Sequence, residues 1–494
     1  MIKIQYSKLR AAALILLLLP TFVFIVTWLK LGFAFLGAQL LAVALFFVLK
    51  TKDDRELEFK ISTLVILAVG VAVWVYLAGQ GGFFSQKGDH FYRNVIFRDL
   101  VNYDWPVRYH NEADESLVYY IGYWLVPALF GKIFTAMAGF NAGWLAARIV
   151  LFIWSFLFIY TSILLVCFKL GSGKRKAMFV VLVVFVFFSG MDVLGIRNTD
   201  ITNHIEWWSF NMQFSSMTTQ LFWVFNQAVP AWLATALTLN EKDERAYALI
   251  GLGLLSTSPL PLVGLAVYML YKAAIEFNNY AKKKEIAKYI KRVATIPNIL
   301  AVVTILPVYS LYYRNNVASE GSFKFIGDHI TSDPKVAIPA YIAFLLVEFA
   351  FLLILITNKK NKNDAIYAFA FLAFAPLARI GTEFDFCMRA SIPALFIIMV
   401  MLIEYFYDVL ENKEKRVHLQ SLCLVVVFFL VGAVTPMVEI SNNVRRYVET
   451  EGESAKQLDV LETLMDSTFE GRINFVCVDS ANTFFYKYIA KADT

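Results

Sequence analysis

Three stretches of this chain carry side chains able to do chemistry. The first runs Lys87-Gly88-Asp89-His90-Phe91-Tyr92-Arg93-Asn94 and continues through Arg98-Asp99 to Tyr103-Asp104-Trp105. A carboxylate such as Asp89 can take a proton from an attacking hydroxyl, with His90 and Arg93 in contact with a polar headgroup. Asp89 fits equally well as the cap of a helix over 90–102, and Asp99 and Asp104 read as solvated or capping residues. The second stretch holds His204 and Glu206, then Gln213, Ser216, Gln220, Trp223 and Gln227, which recur at helical spacing. Asp89, His90, His204 and Glu206 are ligand types for a divalent cation such as Mg or Mn; histidines in polar surface loops are the plainer reading. The stripe of Gln213, Gln220, Trp223 and Gln227 suits contact with a sugar or headgroup, or hydrogen bonds between helices. The third stretch runs from Arg379 through Glu383, Asp385 and Arg389 to Pro393. Guanidinium matches phosphate oxygens two at a time, and Arg389, Arg379, Arg314 and Lys324 would share one face. The competing reading for Arg389 is an ion pair with Asp385 one helical turn before it. Glu383 and Asp385 complete the list of headgroup contacts.

The elements that must position these side chains are membrane helices. The 494 residues are 59% hydrophobic and 17% charged, against about a quarter charged in soluble domains. Apolar runs of about 20 residues recur, enough to cross roughly 30 Å of hydrocarbon, and in lipid such runs are helical because the backbone must satisfy itself. The spacing predicts an all-α polytopic membrane protein with crossings at 11–29, 33–49, 61–79, 143–167, 177–190, 217–239, 294–313, 336–356, 364–378, 389–409 and 417–436. The first is read as an uncleaved span. The net charge of +6 comes from short basic clusters, not a nucleic-acid surface. Those clusters, Lys50–Lys60, Lys169–Lys176, Lys272–Arg292, Lys359–Lys362 and Lys413–Arg416, mark cytoplasmic loops.

Parity settles two further apolar segments. If 117–137 crossed, the Lys174–Lys176 loop would be forced outside, so it is read as an interfacial helix on the outer side. In 246–270 the run Ser256-Thr257-Ser258-Pro259-Leu260-Pro261 breaks the helix, which predicts a re-entrant pair with both ends cytoplasmic. The result is about eleven crossings in a membrane domain over 1–436, N-terminus inside and C-terminus outside, with a long outer loop at 80–142. Residues 437–494 form a small extracytoplasmic cap, with a helix at 443–468, a strand at 473–478 and a helix from Phe484 to Ala490.

With an acid early in the first long outer loop, the chain resembles the GT-C class of integral membrane glycosyltransferases, bacterial members in particular. Gly88–Asn94, Gln213–Trp232 and Asp385–Phe396 carry the resemblance by residue, and the helix count carries it over most of the chain. The resemblance implies inverting transfer of a sugar from a polyprenyl-phosphate donor to a glycan, lipid or protein acceptor. It implies Asp89 as the base, arginines on the carrier phosphate, and a bacterial plasma membrane. The chain departs from the class in one respect. Many members have a tight D-x-D or E-x-D pair, whereas Asp89 is followed by His90, which leaves a metal cofactor open. On this reading the donor's tail lies beside segment 117–137, where Tyr119, Tyr120, Tyr123 and Trp124 suit the interface. The rival readings are a polysaccharide polymerase or ligase with a lipid-pyrophosphate donor, and a solute transporter or lipid flippase, which the broken segment 246–270 favours.

Overall fold

Long apolar runs bounded by glycine, proline and charge fold here as helices. The structure, a computed structural model, describes residues 1–196, 204–209, 212–317, 324–325, 334–379, 385–411, 419–453 and 461–492. Among the described residues, nine helical stretches are long and apolar enough to cross a membrane. The chain is an all-α polytopic membrane protein.

Strand β1 (Ile2–Gln5) pairs antiparallel with β2 (Glu56–Phe59) on one face of the bundle. Between and after them run α1 (Tyr6–Trp28), α2 (Leu31–Leu49) and α3 (Ile61–Leu77). The far-side loop after α3 contains α4 (His90–Asn102), β3 (Arg108–Tyr109) and β4 (Glu115–Leu117). Then come α5 (Gly122–Ala138), α6 (Phe140–Leu170), α7 (Arg175–Phe187), α8 (Met217–Asn240), α9 (Tyr247–Leu252), α10 (Pro259–Lys282), α11 (Ile286–Val293) and α12 (Ile296–Tyr313). Strand β5 (Lys324–Phe325) pairs with β6 (Ala378–Arg379). Between them lie α13 (Pro334–Leu345), a π turn at Leu346–Ala350, α14 (Phe351–Ile356) and α15 (Lys362–Phe374). The last elements are α16 (Asp385–Ala390), α17 (Ile392–Glu411), α18 (Leu419–Gly432), α19 (Val434–Glu449), α20 (Phe469–Arg472) and β7 (Val476–Cys477).

The described basic loops gather on one face. Arg10 holds Glu241 at 2.6 Å and Lys242 holds Asp53 at 3.1 Å. Thr295 donates to the Arg245 carbonyl at 2.7 Å, Lys272 meets Asp364 at 3.7 Å, and Lys174 meets Glu411 at 2.5 Å. The fifth cluster, Lys413–Arg416, lies outside the described residues.

Both ambiguous segments return to the side they start from. Tyr123 at the start of α5 donates to Ser155 in the middle of α6 at 2.9 Å, while Gly143 near the start of α6 packs on Gly131 and Thr135. A Cβ at Gly143 would lie 1.9 Å from the Thr135 hydroxyl, so the α5–α6 hairpin closes only around glycine. Helix α6 has 31 residues, about 46 Å, and outreaches a hydrocarbon core of roughly 30 Å. Its N-terminal half therefore carries α5, which stands along it with both ends away from the basic face. Helices α9 and α10 form the other return. Their turn reaches Gly122, whose N–H donates to the Ser256 carbonyl, and Gln227, whose carbonyl accepts from Ser258 at 2.8 Å. The outer ends of α9 and α10 both lie on the basic face, at the Glu244 and Asp364 contacts.

On the opposite face the C-terminal residues close over the first long loop. β3, β4 and β7 make a three-stranded antiparallel sheet. Arg472 binds the fully buried Glu115 at 2.8 Å, and Asp99 accepts from Tyr109 at 2.7 Å and from the Leu464 N–H at 3.0 Å. Asp99 is thus neither solvated nor capping. It is buried, which lifts its carboxyl to about 6 against the pull of Tyr109 and Leu464. The helix expected over 443–468 is also corrected. Helix α19 stops at Glu449, because Glu451 and Gly452 turn left-handed at φ 50° and 84°. The strand expected at 473–478 shortens to β7, and the last helix becomes a π turn at Phe485–Ile489.

Candidate functional site

The site is organised around a break in α8. Val224 leaves helical geometry (φ −130°, ψ 33°), and Pro230 further along brings no N–H to the helix ladder. Carbonyls near the break are taken by side chains of the first loop. His90 Nε2 reaches the Phe222 carbonyl at 2.8 Å, and the Arg93 guanidinium donates to the Trp223 carbonyl. The loop is brought there by a tight glycine turn after α3. Gly79 has φ 72°, and a Cβ on it would meet the Ser85 carbonyl at 2.5 Å.

Arg93 also holds Asp89, one turn before it, at 3.0 Å. Asp89 occupies the cap position just before α4 but has helical angles (φ −61°, ψ −22°) and makes no capping bond. Its side chain is 42% exposed and faces a cavity of about 560 Å³. The walls are Asp89 from the first loop, His204, Trp207, Gln213 and Ser215 from the second, Thr219, Trp223 and Val224 from α8, and Asp385, Met388 and Arg389 from α16. An acid near residue 90 and a guanidinium near residue 390 therefore share one chamber.

Arg389 is buried. Its Nη2 pairs with Asp385 at 2.9 Å and its Nη1 donates to the Tyr120 hydroxyl at 3.0 Å. Its Nε–H is buried with no acceptor among the described residues. The ion pair read from the sequence is thus present, and a guanidinium donor stays unused beside the cavity. On the opposite wall His204 lies between two carboxylates, with Nδ1 2.5 Å from Glu439 and Nε2 3.5 Å from Glu206. Burial pulls its pKa down, but the two acids outweigh burial and hold it at about 10, so the ring is cationic at neutral pH. Lys87 at 3.0 Å and Trp223 at 3.2 Å also bind Glu439. Gln213 donates to Glu206 at 2.8 Å and accepts from Trp207 at 3.2 Å.

Several expected site residues do not reach the chamber. His90 is buried, stacked on Phe225 at 5.0 Å, and spends its Nε2–H on Phe222. Burial first, then Arg93, lowers its pKa to about 4, so it is neutral. It can neither contact a headgroup nor join Asp89 around a cation. Glu206 is buried under Ser216 N–H and Gln213, and His204 has both nitrogens engaged. Of the four residues offered as cation ligands, His204 and Glu206 meet at 3.5 Å and Asp89 shares the cavity with His204, whereas His90 turns away; no three His, Cys, Asp or Glu side chains group for a metal among the described residues. Gln220 is buried, donating to the Ser215 carbonyl and accepting from Trp232 at 2.8 Å. Gln227 is buried in the bundle with its carboxamide unbonded. The stripe of four therefore splits: Gln220, held by Ser215 and Trp232, and Gln227 lie inside the bundle, while Gln213, from the loop before α8, and Trp223 line the cavity. Arg379 stands in β6 and Arg314 is exposed at the end of α12; neither is among the described lining residues. Glu383 lies outside the described residues.

Sequence reasoning missed Glu439, Trp207, Ser215, Thr219 and Met388. Glu439 had a usable signal, since an acid within an apolar helical stretch is costly unless it serves a polar partner.

The fold and chamber define a polytopic helical membrane protein with a partly open cavity, lined by acids, an arginine and tryptophans, on the face away from its basic loops. Comparison with protein-family models, with curated proteins and with solved structures gave no match.

Proposed function

We propose that the chain is a GT-C-type membrane glycosyltransferase that moves a sugar from a polyprenyl-phosphate donor to an extracytoplasmic hydroxyl. The reading rests on one observation, the meeting of Asp89 and Arg389 in a single cavity. Asp89 takes the proton as the acceptor oxygen attacks the anomeric carbon from the side opposite the carrier. The bond to the carrier oxygen breaks, and its electron pair leaves on a phosphate met by the Arg389 guanidinium on the cavity wall. The configuration inverts. Trp207 and Trp223 offer flat faces to a sugar ring, and Gln213 lies between them. On this reading the basic face is cytoplasmic, as the positive-inside bias favours, and the chamber opens at the outer leaflet of a plasma membrane, a bacterial one if the resemblance to bacterial members holds. Acceptors fitting such a chamber are a surface glycan, a glycolipid or a protein.

The test is sugar transfer from a lipid-linked donor in membranes carrying the wild-type protein or Asp89→Asn. A general base contributes roughly 10²–10⁴-fold, so transfer should fall by at least about a hundredfold while Asp104→Asn stays near wild type. Undiminished transfer in Asp89→Asn overturns the assignment.

A second reading is a transporter or flippase, favoured by the α9–α10 return and the broken α8, since discontinuous helices build transporter sites. It predicts movement of solute or lipid that Asp89→Asn leaves intact, with no transfer by either protein.

A further inference from the structure

A second, unrelated cavity lies at the other end of the bundle. We infer that the apolar groove between α9, α10 and α12 seats one acyl chain of an anionic phospholipid, whose phosphate rests on the lysines of α11. The groove holds about 530 Å³, within the range of about 300–1,000 Å³ of small-molecule sites. Gly251 and Ala266 form its floor, with Leu262, Met269, Val302 and Leu306 as walls. Val302 and Leu306 are each 42% exposed, so it opens sideways onto lipid. Along α10 it runs from Leu262 to Ala273, about 16 Å at 1.5 Å per residue. That is the hydrocarbon depth of one leaflet, half of roughly 30 Å.

The end of the groove says which lipid. Val293 and Ala294 close it on the basic face. Helix α11 arrives there with Ile286 and Ile290 exposed one turn apart, and with Lys288 and Lys291 exposed between and beyond them. That is the pattern of a helix lying in the membrane interface. Residues 282–292 contain six basic side chains, Lys282, Lys283, Lys284, Lys288, Lys291 and Arg292, against one acid, Glu285. Arg292 is spent on Glu244 at 3.0 Å, whereas Lys288 meets Glu285 only at 3.4 Å on the surface, where it can turn to a phosphate. Cationic residues at this depth draw acidic headgroups, and a zwitterionic headgroup gains less from the same cluster.

The experiment is native mass spectrometry of the full chain from nanodiscs of equimolar phosphatidylglycerol and phosphatidylcholine. The expected wild-type result is one retained phosphatidylglycerol per chain, at least fivefold over phosphatidylcholine. Ala266→Trp, which fills the floor, should lower retention at least fivefold. Lys288→Gln with Lys291→Gln, at exposed positions that leave the fold untouched, should bring the two lipids close to parity. The proposal is overturned if wild type retains both lipids equally. It is also overturned if folded Ala266→Trp keeps its phosphatidylglycerol, which would mean headgroup attraction without a seated chain. Should Ala266→Trp fail to accumulate, the lysine variant decides, and an unchanged preference there sinks the idea.

Discussion

Arg93 does two things at once. It satisfies a carbonyl at the break in α8 and fixes Asp89 at the edge of the chamber. Replacing it with Gln should leave a buried carbonyl underbonded and free Asp89 to turn, costing about 1–3 kcal/mol. A melting curve of the purified protein in detergent reads this, and an unchanged midpoint would show that solvent replaces the contact. His204 gives a pH signature. Its folded pKa is raised, to about 10 from an ordinary value near 6.5. Its contribution is therefore complete below about 6.5 and is lost as pH climbs toward 10. The melting temperature should fall over that window in wild type and less steeply in His204→Gln; parallel slopes would mean that the ring is not held as a cation.

At the scale of elements, two packing seams carry sharp expectations. The α5–α6 seam closes over Gly143, where any side chain collides with Thr135 and the Gly131 carbonyl. Gly143→Val should therefore abolish accumulation of folded protein in the membrane, judged by monodisperse elution, whereas Gly32, with open space at its Cβ position and no positive φ, should accept Ala. The second seam joins the C-terminal residues to the first loop. Glu115 is fully buried and its carboxylate is matched by Arg472. Arg472→Ala leaves that charge uncompensated and should cost about 3–5 kcal/mol. Glu115→Gln should cost less, because it removes the fully buried charge and leaves the unpaired one on Arg472, whose side chain is 16% exposed. Protease resistance of residues 461–492 gives a direct comparison.

For the whole molecule, the decisive property is the sorting of loops onto two faces. The contacts from Arg10–Glu241 to Lys174–Glu411 gather the basic loops, and the β3–β4–β7 sheet with the chamber lies opposite. Single cysteines at Lys362 and Asp479, in a background without the native cysteines, should differ in intact cells. A membrane-impermeant maleimide should label position 479 and spare 362. Equal labelling would contradict the two-faced arrangement, and the reverse pattern would invert the orientation proposed from the basic loops.

What the amino-acid order determined by itself is local. Apolar run length, prolines and basic clusters implied membrane helices, the return at 246–270 and a segment 117–137 that does not cross to the basic face. They could do so because backbone satisfaction in lipid and charge at helix ends are properties of each segment. What only the tertiary structure decided is which side chains share a cavity. Asp89 and Arg389 meet there, His90 is drawn away to a broken helix, Gln220 and Gln227 lie inside the bundle, and Glu439 of α19 backs His204 and Trp223 from behind. None of these is encoded by spacing. They follow chiefly from contacts between segments up to hundreds of residues apart, which a helical period read along a single segment does not carry.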